Sequence, residues 1–270
     1  MRLAEPIVAS WKADLALRFS PRRGTTVLAE KHFDGPLVVQ KAFDPEGGVC
    51  HAIVVHPPGG IAGGDELALA ATADAGAHAL LTTPGAGKWY RSAGAIATQR
   101  LAFRAAGTLE WLPRETIVFD GALARLGSVV ELEGRGAYLG WEVVCLGRSG
   151  AGERFTRGSI RLSTRVLRDG RLLWTERGRI DGGDPRLASA VGLAGHSVVG
   201  TMIATLDAPA KELVAACREH AAVTHLPGLL VARYLGDSSE EAFAAFTRVW
   251  TLLRPVVAGR DAVPPRIWST

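Results

Sequence analysis

Ser159-Ile160-Arg161-Leu162-Ser163-Thr164-Arg165-Val166-Leu167-Arg168-Asp169-Gly170-Arg171-Leu172-Leu173-Trp174-Thr175-Glu176-Arg177 is the stretch on which the fold turns. Two strand-like runs flank Asp169-Gly170, a dipeptide that tolerates the positive φ angles of a two-residue type I′ turn. The reading is a β-hairpin, Ser159–Arg168 followed by 171–177. Counting back from the turn sets Arg168 opposite Arg171, Arg165 opposite Trp174 and Ser163 opposite Glu176. Glu176 then stands diagonal to Arg161 and Arg165, within reach of a cross-strand ion pair.

The same punctuation extends upstream. Residues 27–32, 36–43, 50–56, 77–83, 96–103, 108–112, 128–133 and Ala137–Leu146 are short apolar or alternating runs separated by Gly, Pro and Asp, and Leu67, Leu69 and Ala71 continue the pattern. Leu101 and Phe103 share one strand face, with Arg100 and Arg104 on the other. Helices are predicted only in the last quarter. Asp207 caps a run over 209–222, and Ser238 with Glu241 has capping-box spacing. Phe243, Phe246, Val249, Trp250 and Leu253 then recur at helical period until Pro255 is expected to stop the run. The fold class is therefore mainly β with two C-terminal α-helices. No linker divides residues 1–270 and no fixed-period repeat is visible, so one domain is expected.

Composition narrows the functions. The chain has 270 residues, 47% apolar and 21% charged, with a formal charge of +4 and a pI near 9.2. The densest basic cluster is Arg161, Arg165, Arg168, Arg171, Arg177 and Arg179. It lacks the interleaved aromatics or reading motif of a nucleic-acid binder and reads as a solvated strand face. Cys50, Cys145 and Cys217 form no C-x-x-C, which fits reduced thiols and a cytoplasmic location. Charges throughout residues 1–19 argue against a signal peptide. Residues 187–206 contain no Asp, Glu, Lys or Arg, but their Gly, Ser, Thr and His content favours a loop and buried strand (198–206) over a membrane span.

Two Gly-rich segments fail as nucleotide loops. His56-Pro57-Pro58-Gly59-Gly60-Ile61-Ala62-Gly63-Gly64-Asp65 lacks the G-x-G-x-x-G register, and Pro84-Gly85-Ala86-Gly87-Lys88-Trp89 has one residue between its glycines and no Ser or Thr after Lys88. There is no G-x-S-x-G and no H-E-x-x-H. Cys217 and His220, at i and i+3, form a possible metal half-site; the competing reading is a core thiol and a last-turn histidine.

Taken in order along the chain, these segments resemble the urease accessory protein D family (UreD, also UreH). The resemblance runs from His56-Pro57-Pro58-Gly59-Gly60 to Gly63-Gly64-Asp65, then Leu81-Thr82-Thr83-Pro84-Gly85 and Lys88-Trp89-Tyr90-Arg91-Ser92. It continues through Glu110-Trp111-Leu112-Pro113 and Glu115-Thr116-Ile117-Val118-Phe119-Asp120-Gly121. Trp141-Glu142, Leu146-Gly147-Arg148, Gly152-Glu153 and Pro265-Arg266-Ile267-Trp268 complete it. Trp89 and Gly87 depart from the family's usual Phe and Thr or Ser, and the first 50 residues match least. The resemblance implies an open, solenoid-like structure of many strands and a non-enzymatic, chaperone-like scaffold for nickel insertion into urease. Implied partners are the urease apoprotein, an F-type accessory protein and, through it, a G-type GTPase. No tightly bound cofactor is implied, only transient Ni²⁺.

That resemblance also implies an internal tunnel, with Asp65, Thr82, Thr83, Glu142 and Glu176 as the matching polar positions. Carboxylates and hydroxyls hold late first-row cations more loosely than imidazole or thiolate, as a relay requires. Each position has a second reading. Asp65 can cap its turn, Thr82 and Thr83 can end a strand before Pro84, and Glu176 can be the hairpin ion pair. Glu142 shares a strand face with Tyr138, Val144 and Leu146, where a carboxylate needs a partner or water. His56 is a further metal candidate, with a structural hydrogen bond as its alternative. Phe243, Phe246 and Trp250 can dock a partner or pack on the core. The rival functions are a β-rich carbohydrate-active enzyme using Asp65 and Glu142 as paired carboxylates, and a stand-alone nickel-binding protein.

Overall fold

Alternation of small charged or polar residues with apolar ones begins earlier than the sequence reading placed it. In the computed structural model, which describes residues 10–269, Ala13, Leu15, Leu17 and Phe19 are buried along Lys12–Arg22, with Asp14, Ala16 and Arg18 exposed between them. That run is the first strand. In chain order the elements are β1 (Lys12–Arg22), β2 (Thr25–Asp34), β3 (Val38–Phe43), β4 (Cys50–Val55), β5 (Glu66–Ala73), β6 (His78–Thr82), β7 (Gly87–Trp89), β8 (Ala97–Ala105) and β9 (Thr108–Trp111). There follow β10 (Thr116–Val118), β11 (Leu123–Leu132), β12 (Ala137–Leu146), β13 (Ser159–Arg168), β14 (Arg171–Asp181), β15 (Val198–Thr205), α1 (Lys211–Arg218), β16 (Ala222–Leu226), β17 (Leu229–Gly236) and α2 (Ser239–Ala258).

An outer sheet has the order β14-β13-β11-β8-β5-β1-β2, and a central sheet the order β16-β17-β15-β12-β9-β6-β4-β3, with β10 beside β12 and β7 beside β10. Within the outer sheet β1, β5, β8, β11 and β13 are parallel. Within the central sheet β4, β6, β9 and β12 are parallel. From β4 to β13 the main strands alternate between the two sheets. This is the open, solenoid-like arrangement expected, and among the described residues no barrel closes. Short strands and turns inserted between rungs make them unequal in length, which explains why no sequence period marks them.

Apolar inner faces of the two sheets form one core. The central sheet is buried on both sides, because α1 and α2 cover its other face and build a second core with Leu80, Leu139, Trp141 and Met202. Its strands therefore read as near-continuous apolar runs, with β6 buried along its whole length.

Several local expectations are corrected. The Asp169-Gly170 turn is present, with positive φ at both residues, but a bulge after Val166 shifts the register. Val166 faces Trp174 and Thr164 faces Glu176, so the counted pairs beyond the turn are displaced by one. Helix α1 starts at Lys211 without a side-chain cap, so Asp207 does not cap it. Ser238 does cap α2, accepting from the Glu241 amide. Pro255 lies inside α2 rather than ending it, on the exposed side, and Gly259 closes the helix in the left-handed conformation. In the uncharged stretch, 198–205 is strand, Leu187 ends a short 3-10 helix and 188–195 is turns, and no helix among the described residues is long and apolar enough to cross a membrane.

A buried polar hub fixes α2 to the central sheet. Glu110 on β9 is fully buried and accepts from Trp250 Nε1 (2.6 Å) and Arg254 Nε (3.0 Å), with His78 Nε2 2.6 Å away. Arg254 also donates to both oxygens of Glu46 (2.6 and 2.9 Å) and to the Asp261 carbonyl (2.6 Å). Burial pushes the Glu46 carboxyl up, but hydrogen bonds from His51 and Arg254 outweigh it and hold it at about 2. Removing the guanidinium leaves two buried carboxylates uncompensated. Arg254→Met is expected to lower stability by roughly 3–5 kcal/mol in urea unfolding; a loss under about 1 kcal/mol would contradict this account of the hub.

Candidate functional site

Strand parity places Glu142 between the sheets. Tyr138, Val144 and Leu146 of β12 enter the inter-sheet core, while Leu139, Trp141, Val143 and Cys145 face the helices. On the same row of the central sheet Glu142 pairs with Thr201 of β15, and Thr201 with Arg233 of β17. On the outer sheet Ser128, Thr164 and Glu176 lie in register across β11, β13 and β14. The two rows meet. Arg233 Nη1 donates to Glu176 Oε1 (2.6 Å) and to Thr201 Oγ1 (2.7 Å), and Ser128 Oγ donates to Thr164 Oγ1 (3.0 Å). A polar track thus crosses an otherwise apolar core.

Around Glu142 is a cavity of about 20 Å³ lined by Trp111, Ser128, Tyr138, Gly140, Thr164 and Thr201, among others. That volume holds about one water. Gly140 is needed here, because a Cβ would lie 2.1 Å from the Tyr138 hydroxyl oxygen. Trp111 also lines a second cavity of about 320 Å³, bounded by His56, Gly59, Gly60 and the segment 83–88. His56 Nε2 and Trp111 Nε1 are buried without a hydrogen-bond partner, as expected of groups facing a wet space. Burial lowers the His56 imidazole below its usual range, against the opposing charge of Asp65.

Burial, reinforced by the Glu176 charge across the gap, pushes the Glu142 carboxyl up to about 7. Among the described residues no protein group hydrogen-bonds it. A carboxyl so placed exchanges a proton near neutrality, and a cation arriving beside it takes that proton's place.

The other sequence candidates scatter. Asp65 is buried, and its two oxygens accept from the Trp11 and Ala62 amides (both 2.8 Å), which is the capping geometry. Thr82 faces the helical side, donating to the Leu112 carbonyl (2.6 Å) and accepting from Trp268 Nε1 (3.0 Å). Thr83 borders the larger cavity, with its hydroxyl between the Gly85 carbonyl and the Arg114 amide. Glu176 is paired, but with Arg233 rather than Arg161 or Arg165. Cys217 is fully buried in the second core, where burial raises its thiol. Among the described residues no three His, Cys, Asp or Glu side chains are grouped to hold a metal ion. The docking expectation is corrected: Phe246 and Trp250 are fully buried, and Phe243 packs edge-on against Trp141 and Trp268. The paired-carboxylate enzyme also loses its footing. Asp65 is occupied by backbone, and the space at Glu142 is too small for a sugar ring.

Thr201, Arg233, Ser128 and Thr164 are not among the site candidates read from the sequence, and Trp111 is there only as part of a motif. Their available signal is a lone polar side chain, or an indole, on the inward parity of an apolar strand. The motif residues 90–92, 119–121, 148 and 153 do converge at one corner. Tyr90 meets Phe119 edge-on at 5.1 Å, Arg148 lies 4.4 Å over the Phe119 ring, and Glu153 accepts from the Asp120 amide (2.8 Å). Asp120 itself accepts from Arg157 and Thr156, and those bonds hold its carboxyl well below the usual range.

Because the folded Glu142 carboxyl is raised, its contribution to stability is fully present below the unfolded value near 4.5 and is lost as pH rises to about 7. Glu142→Gln should therefore gain on the parent protein by roughly 2–3 kcal/mol between pH 4.5 and pH 8, read by urea titrations at each pH. A difference independent of pH would remove the charge-burial argument.

The sequence matches the family model described as UreD urease accessory protein over residues 12–269. It is 55% identical over 269 residues to the urease accessory protein UreD of Azoarcus sp. (strain BH72), covering 96% of this chain and 94% of that one. It is 52% identical over 274 residues to the UreD of Dechloromonas aromatica (strain RCB), covering 97% and 95%. The UreD of Methylobacillus flagellatus is 46% identical over 270 residues, with 96% and 95% covered. With the mainly β, two-helix architecture expected of it, this chain belongs to the UreD family of urease accessory proteins.

Proposed function

We propose that this protein acts without catalysing a reaction, as a scaffold in urease maturation through which Ni²⁺ passes between the two sheets. The observation that carries the reading is the Glu142 carboxyl, poised near neutrality on a polar track inside an apolar core. Ni²⁺ is the cargo here. Oxygen donors such as Glu142, Thr164, Thr201 and Ser128 suit a cation that must leave again, whereas a closed His or Cys set would trap it. The larger cavity beside His56 supplies a wet approach, and Trp111 separates it from the space at Glu142.

A cation entering that space displaces the Glu142 proton and gains a carboxylate ligand. The Arg233 guanidinium, held between Glu176 and Thr201, sets an opposing positive charge on the far side. Onward movement requires Glu176 to exchange its Arg233 partner for the cation. The proton lost and the ion pair broken offset the binding of the metal, so residence is brief. A urease apoprotein receives the cargo, and an F-type accessory protein with a G-type GTPase supplies nucleotide cleavage that no loop in this sequence provides. These partners belong in the cytoplasm, in keeping with three free, buried cysteines.

The test is co-expression of urease subunits and the other accessory proteins with either this chain or its Glu142→Leu variant. The variant is expected to fold and to co-purify with its partners, while the nickel content and activity of urease fall about tenfold. Nickel content equal to that with the parent chain would refute the relay role of Glu142.

A further inference from the structure

On the solvent side of the outer sheet, acidic residues pair some arginines and leave others bare. Arg100 bonds Glu66 (3.1 Å) and Arg104 bonds Glu131 (2.9 Å). Toward the β14 edge that pairing stops. Arg125, Arg161 and Arg179 stand directly opposite one another on β11, β13 and β14. Only Arg179 has an acidic partner, Asp181 (2.9 Å). Arg125, Arg161, Arg165 and Arg177 are exposed and have no ion pair among the described residues. Like charges directly opposite on neighbouring strands destabilise a sheet, so the isolated chain gains nothing from this arrangement.

The surface between them is made of small groups. Ala102, Gly127 and Ser163 face outward beside the arginines, and Leu172 is 55% exposed at the margin. Two shallow grooves of about 530 and 560 Å³ run through the cluster, sharing Arg177. Parallel strands, moreover, occur almost only in sheets covered on both faces, and here the outer face of five parallel strands is open. Neither sequence motifs nor the proposed relay uses this face.

We infer that this arginine-lined face is a docking surface for a partner protein that presents Asp and Glu side chains to it. Guanidinium forks recognise carboxylates with two parallel hydrogen bonds and lose less hydration than ammonium groups on burial. The small side chains let a partner backbone approach closely, and Leu172 offers the apolar contact that charge alone lacks. A nucleic acid fits less well, since none of the outward side chains on β8, β11, β13 or β14 is an aromatic on which bases could stack.

The test uses the whole chain, with a fluorescent ten-residue glutamate peptide and a ten-nucleotide oligothymidylate as separate probes. The peptide is expected to bind at low salt and to weaken about tenfold as ionic strength rises, as screened charge pairs do. Arg125→Glu with Arg161→Glu and Arg177→Glu should weaken it by a further factor of about ten. The glutamine triple variant, free of new repulsion, should fall between, and Arg22→Glu with Arg23→Glu and Arg248→Glu should bind as the parent does. A second arm co-expresses the parent and reversed chains with urease apoprotein and the F-type accessory protein; it rests on the maturation reading for the choice of those two. The reversed chain should lose about tenfold of one of them while its melting temperature holds. Peptide binding unchanged by reversal, or oligothymidylate bound more tightly than peptide, would overturn the proposal. A normal nickel content in the Glu142→Leu experiment leaves these binding readouts untouched, so the two ideas fail separately.

Discussion

Glu110 is a carboxylate with no exposure to water, and the layered architecture depends on how it is satisfied. Its three neighbours come from β6 (His78) and from two turns of α2 (Trp250, Arg254). Arg254 then reaches Glu46 in the turn before β4, and His51 stands 2.5 Å from the same carboxylate. A buried charge without its partners costs several kcal/mol. The network is therefore satisfied only when β6, β9, the 44–49 turn and α2 are all in place. That makes it a register device as much as a source of stability, because an apolar helix face alone would tolerate sliding along the sheet.

The central sheet, fixed in this way, divides its polar residues by strand parity. One face of β9 carries Glu110 to the helices, while Trp111 on the other looks into the inter-sheet space. On β12 the helix side takes Trp141 and Cys145, and the opposite side takes Tyr138 and Glu142. Both acids sit on the same sheet, yet their surroundings are opposed. Glu110 is surrounded by donors, whereas Glu142 has a water-sized space, hydroxyls nearby and another carboxylate across the gap. The first arrangement locks a fold. The second leaves an acid free to trade its proton.

Sequence pattern carried much of this, and its failures have physical causes. The parity of Glu142 was legible because Ala137–Leu146 forms one strand with no bulge to shift its faces. The Asp169-Gly170 turn was legible from its chemistry, but the bulge after Val166 was not, since nothing local distinguishes Leu173 from a paired residue. β1 was hidden by its exposed charges, which dominated the reading of the N-terminal segment. Pro255 reads as a helix stop by its missing amide, yet it is tolerated because its exposed position leaves the freed carbonyl to water, while Leu253 and Arg254 hold the last turn to the core. Thr201 and Arg233 escaped notice because their importance comes from pairing across three strands, which no linear spacing encodes. Phe246 and Trp250 had the periodicity of a docking face and of a core face alike, and only the sheet beneath them decides between the two.

The position of α2 after every described strand matters for how the protein is made. A ribosome releases β3, β4, β6, β9 and β12 of the central sheet well before it releases residues 239–258. Until then Leu80, Leu139, Trp141 and Met202 lack their cover, and Glu110 lacks its cation. A newly made chain therefore passes through an interval with a broad sticky sheet and an unneutralised interior acid, which is the condition under which nascent proteins clump or need holding. Slow emergence, early termination or loss of the last helix would prolong that interval, even though every strand had already been synthesised.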